Sequence, residues 1–105
     1  MAKRIRYDPP LDPGIARYVK ILNEAGVETY ESCEGGKGHS YPEPTVRFYG
    51  DPSEGFRALA IAMAHHLPVM SLRRFWSIQD GEPVGPDWEM TFWNDEKRPK
   101  SQWWS

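Results

Sequence analysis

The stretch LDPGIARYVKILNEAGVETYES, residues 11 to 32, changes periodicity within a few residues, and that change decides the fold class. Ile15, Tyr18, Val19 and Leu22 fall at i, i+3, i+4 and i+7, one apolar stripe of an amphipathic helix. Asp12 stands where an N-cap accepts from free backbone N–H groups. Pro13 follows at the first helical position, where a missing N–H costs nothing. Gly26 supplies the left-handed residue that ends the helix. VETYES, 27–32, then runs on directly as a strand.

Outward from this unit, DPSEGFRALAIAMAHHLP predicts a second helix, capped by Asp51, with Pro52 next and Glu54 three residues after the cap. Its expected buried stripe is Phe56, Leu59, Ala60, Met63 and Leu67, and Pro68 stops it. RIRY at 4–7, TVRFY at 45–49, SLRRFWSIQ at 71–79 and DWEMTFW at 87–93 alternate as strands, the last two forming a hairpin across the turn-rich DGEPVGP. Trp88, Met90 and Phe92 share one face of the last strand, and Glu89, Thr91 and Trp93 the other. The order is β-α-β-β-α-β with an added strand, which predicts a ferredoxin-like α+β fold. Both helices would cover one face of an antiparallel sheet and leave the second partly open. Residues 1–93 read as one domain. Residues 94–105 read as a charged tail whose terminal Trp103 and Trp104 are expected to dock on the sheet or on a second subunit.

Bulk properties narrow the function classes. A chain of 105 residues supports one core. Its single cysteine fits a reducing compartment and no internal disulfide. No apolar run reaches the roughly 18 residues of a membrane span, and the basic N-terminus lacks the apolar centre of a signal peptide. A soluble cytoplasmic protein is expected. The net charge of −2 argues against general nucleic-acid binding. Five Trp and five Tyr exceed what so small a core encloses, so aromatic surface is expected to remain for a ligand, a partner or a twin subunit.

ESCEGGKGHSYPEP, 31–44, is the candidate functional segment. Glycines after a strand aim backbone N–H groups at an anion, and Lys37 adds positive charge. A P-loop or dinucleotide fingerprint would need a helix next, whereas Pro42 and Pro44 impose extended chain. Cys33 and His39 are candidate nucleophile and base, although the flanking glutamates oppose a thiolate. Cys33, His39, His65 and His66 lack zinc spacing, so no metal and no cofactor are expected. A plain connection is the remaining reading, and its length counts against it.

Leu22, Asn23, Gly26, Thr29, Ser32, Cys33, Gly35 and His39 together resemble the L-N, G-x-x-T, S-C-x-G pattern of small bacteriophage and prophage proteins. The Asn, Thr, Ser, Cys and Gly also resemble the tRNA wybutosine-synthesis methyltransferase family, departing at Gly36, where that family has Arg. The resemblance implies an accessory phage role and, if so, residence in a bacterial host cell.

The expected function is non-catalytic binding of a small polar or nucleotide-like ligand by Ser32, Cys33, Gly35, Gly36, Lys37, His39, Tyr41 and Arg47. Tyr30, Tyr41, Trp76 and Trp93 are candidate stacking surfaces. The alternatives are a protein-interaction module or homodimer using the open sheet face with Trp103 and Trp104, and an enzyme using Cys33 and His39. RNA stacking on the open face is a weaker fourth.

Overall fold

The structure is a computed structural model that describes residues 13–36, 38 and 41–94. The expected strand at 4–7, Lys37, His39 and the Trp103–Trp104 tail lie outside the described residues. The elements in chain order are α1 (Pro13–Glu24), β1 (Thr29–Cys33), β2 (Thr45–Phe48), α2 (Pro52–Ala64), β3 (Val69–Gln79) and β4 (Glu82–Phe92). The strands form one antiparallel sheet in the order β1-β2-β4-β3. The chain is therefore α+β, with two helices and a four-stranded sheet among the described residues. The expected N-terminal strand of a ferredoxin-like arrangement falls on 4–7, and β4 holds the place beside β2.

One apolar cluster joins helices and sheet. Ile15, Val19 and Leu22 of α1 and Ala58 and Ala62 of α2 meet Val46, Phe48, Trp88, Met90 and Phe92. Register places all five sheet residues on one face, since Val46 lies opposite Met90 and Phe48 opposite Trp88. Both helices thus cover the same face. The Tyr18 ring packs 4.5 Å from Phe92.

The helix ends follow capping chemistry. The Asp51 carboxylate accepts from the Glu54 N–H at 3.0 Å and from the Ser53 hydroxyl at 2.7 Å. After α1 the Val27 N–H reaches the Leu22 carbonyl at 2.9 Å and that of Gly26 reaches Asn23 at 3.0 Å, with Gly26 at φ +90°. This is the six-to-one and five-to-two pairing of a Schellman cap. α2 ends the same way, but there His66 takes the left-handed position at φ 55° while Leu67 and His66 donate to Ala62 and Met63. α2 is closed by this cap, before Pro68 is reached, and His66 is a backbone terminator.

Two expectations change. The stripe expected on α2 holds at Leu67, which is buried, and at Leu59, which packs against the core, but elsewhere it is rotated: Phe56 is 64% exposed, and Ala60 and Met63 are exposed as well. Gly55, Ala58 and Ala62 face the sheet instead. Their smallness is the reason, because a Cβ at residue 55 would fall within the indole of Trp88. The helix therefore lies close, and the Trp88 Nε1–H donates to the Asp51 carbonyl at 2.9 Å. The hairpin is also longer than its turn signals predict. Gln79 pairs with Glu82, which leaves a two-residue Asp80–Gly81 turn with both φ positive, and Glu82–Pro86 belong to β4. Pro83 and Pro86 are tolerated because β2 pairs with β4 only along 88–91, so among the described residues this part of β4 has no ladder on that side.

Candidate functional site

The sheet face turned away from the helices carries three cross-strand rows, set by register. Glu31, Arg47, Glu89 and Arg73 form the middle row, one residue from each strand, with charges alternating along it. Arg47 lies 3.4 Å from Glu31 and 3.0 Å from Glu89, and Arg73 approaches Glu89 at 2.8 Å. Glu89 is the anchor, 4% exposed, with each carboxylate oxygen held by a different arginine. A buried charge needs such pairing, because its lost hydration is otherwise uncompensated.

On one side of the charges lies a row of small polar groups, Cys33, Thr45, Thr91 and Ser71. The Ser71 and Thr91 hydroxyls share a hydrogen bond, and Thr45 donates to the Glu43 carbonyl at 2.8 Å. On the other side lie aromatic groups. Tyr30 and Tyr49 pack with ring centres 4.4 Å apart, and the Tyr30 hydroxyl donates to Asp87 at 3.0 Å. Thr29 pairs with Phe48 while Glu31 pairs with Arg47, so a bulge at Tyr30 brings it to the same face as Glu31. Phe75, opposite Asp87, lies 4.3 Å from the Arg47 guanidinium.

The connection from β1 to β2 folds back onto this face. The Gly36 N–H donates to the Pro42 carbonyl at 3.0 Å and closes a neck. Gly35 sits in the neck at φ +81°, where a side chain would strike the backbone of Glu43 and Pro44. Beyond the neck, Tyr41 stands over the charged row, its ring 5.1 Å from Arg47 and its hydroxyl donating to Glu31 at 2.8 Å. Between this arm and β3 is a hollow of about 270 Å³, lined by Tyr41, Pro42 and Glu43, by Met70, Ser71 and Arg73, and by Thr45, Glu89 and Thr91 at its base.

Two phenols and one guanidinium of this face are held in one state. Burial first, then the hydrogen bond to Glu31 and the charges of Glu31 and Glu89, push Tyr41 up to about 12, with Arg47 acting the other way. Tyr30 is raised still further, by burial and by its bond to Asp87. Burial opposes the Arg47 charge, but the bond to Glu89 and the negative groups around it leave its pKa above the ordinary value. Neutral phenols beside a charged Arg47 suit recognition, with their donors and acceptors fixed across the physiological range.

The sequence-predicted residues separate. Tyr41 lines the hollow, and Arg47 sits in the row that supports it. Cys33 ends the polar row but is 6% exposed and does not line the hollow. Ser32 pairs with Val46, on the helix side. Gly35 and Gly36 shape the neck. Of the stacking candidates, Tyr30 is engaged with Tyr49, and Trp76 lies out on the hairpin, 59% exposed. Glu89, Arg73, Thr45, Ser71 and Thr91 were not among the expected site residues. Alternation already placed Glu89 and Thr91 opposite the apolar face of the last strand, but their partners depend on cross-strand register. No cluster of three or more metal-ligating side chains occurs among the described residues. No helix among them is long and apolar enough to cross a membrane.

No protein-family model matches the chain, no curated protein matches it, and no solved structure matches it.

Proposed function

We propose that this protein binds a small polar ligand in the hollow between Tyr41–Glu43 and β3, and that it does so without turnover. The observation that carries this reading is the hollow itself, floored by hydroxyls and by a buried carboxylate already fixed between two arginines. Thr45, Ser71 and Thr91 offer hydroxyls, Arg73 a donor edge and Tyr41 an aromatic face. A nucleobase or nucleoside suits those partners in size and chemistry. A phosphate does not, because Glu43 and Glu89 would repel it; the nucleotide-like ligand enters by its base or sugar. Cys33, covered and absent from the lining of the hollow, supports binding over thiol catalysis.

The resemblance of the helix–strand–loop segment to phage and prophage proteins supports an accessory role in a bacterial host. We also read the topology as a ferredoxin-like sheet in which the C-terminal strand takes the place of the N-terminal one. β2-α2-β3 is then a split crossover with β4 between its strands.

Binding is tested by titrating nucleosides and nucleobases into labelled protein and following amide shifts. Thr45, Ser71 and Thr91 should move together. Tyr41→Ala should weaken binding about 5- to 150-fold, the equivalent of a stacking contribution of about 1–3 kcal/mol. Shifts that bypass these three residues, or none across the panel, refute the reading.

A further inference from the structure

Among the described strands β3 lies at an edge of the sheet. Among the described residues no strand pairs with its outer side along all 11 residues. An open edge exposes unpaired backbone donors and acceptors and recruits another strand unless it is blocked. Trp76 and Ile78, at i and i+2 on one side of β3, are 59% and 68% exposed. Side chains of that size in water are an interaction surface when contiguous.

Charge names the occupant. Arg73 and Arg74 stand at the middle of the strand, where Arg74 also donates to the Gly50 carbonyl at 3.0 Å, while Asp80 lies in the turn just past its end and Glu82 opposite Gln79. An antiparallel copy centred near the turn sets each basic pair against an acidic turn, whereas a parallel copy sets like against like. The outer edge is regular where this matters. Phe75 pairs with Asp87 and Ser77 with Val84, so the extra residue of the irregularity belongs to β4.

We propose that a second copy of this chain pairs antiparallel with β3 about a two-fold axis at Ser77, joining two four-stranded sheets into one. Arg74 then lies opposite Asp80 of the partner subunit, and Trp76 opposite Ile78 of the partner subunit. Four exposed apolar side chains cover one another, and the interface is isologous, as a closed dimer requires. The same register brings Gly81 of the partner subunit opposite Arg73, so the partner's turn borders the rim of the hollow. The dimer does not depend on what the hollow binds.

Sedimentation equilibrium of the full chain tests this. The expected mass is twice the 12.1 kDa of one chain. Ile78→Lys should return it to the single-chain mass, with the circular dichroism spectrum kept as proof of folding. Ser77→Cys should form an intersubunit disulfide under mild oxidation, since antiparallel cross-strand Cα atoms lie about 4.5–5.5 Å apart, within disulfide reach. A single-chain mass at every concentration overturns the proposal. So does a dimer that survives Ile78→Lys, or one in which Ser77→Cys forms no crosslink.

Discussion

Glu89 concentrates the logic of the open face in one side chain. It sits in a strand whose neighbours Trp88 and Met90 face the core, yet it is as buried as they are, and two arginines hold it. Glu89→Gln removes the charge and leaves Arg47 facing Glu31 alone. The expected loss is about 1–3 kcal/mol, between the limits for surface and buried pairs, because Arg73 is largely exposed. Urea unfolding of the variant measures it, and an unchanged midpoint contradicts the anchoring role. Cys33 gives a second test at this scale. At 6% exposure its thiol should react slowly with an alkylating reagent in native buffer and rapidly in denaturant. Fast native labelling would reopen the nucleophile reading.

At the scale of elements, α2 depends on its first turn. Asp51 caps it, and the hydrogen bonds from Ser53 and the Glu54 N–H, the largest influences, hold its carboxyl below the ordinary range. A pKa depressed in the fold contributes stability at pH values above the unfolded carboxylate pKa. That contribution is lost as pH falls through the folded value. Asp51→Asn keeps a side-chain acceptor but no charge, and its stability should vary less with pH in the acid range than that of the wild type, as read from melting temperatures between neutral and acid pH. The helices were legible from sequence because caps and periodicity are local: Asp51, Pro52 and the α1 stripe lie where the chain says. The face that α2 buries was legible only at Leu59 and Leu67. Its apolar residues outnumber its seam, and the choice of Gly55, Ala58 and Ala62 over Phe56 and Met63 depends on how near Trp88 stands. The candidate site was half legible for the same reason. Tyr41 and Arg47 could be named from their place in and after the loop, while the rows linking Glu31, Arg47, Glu89 and Arg73 exist only through register across four strands.

For the whole molecule, alkaline behaviour reports on the open face. Tyr41 and Tyr30 are raised in the fold, so their contribution is fully present below the unfolded phenol pKa near 10. It is lost as pH rises through the folded value, about 12 for Tyr41. An ultraviolet titration should show Tyr41 and Tyr30 ionising late and cooperatively, together with loss of the tertiary signal. Ordinary ionisation of every tyrosine ahead of unfolding would mean that this face is looser than described. The contact between Gly55 and Trp88 acts on a longer timescale. Because the indole occupies the room a side chain at residue 55 would need, neither position is free to drift by itself. Among descendants of this chain, a bulkier residue at 55 should be found with a smaller one at 88, so the spacing between helix and sheet is inherited as a linked pair.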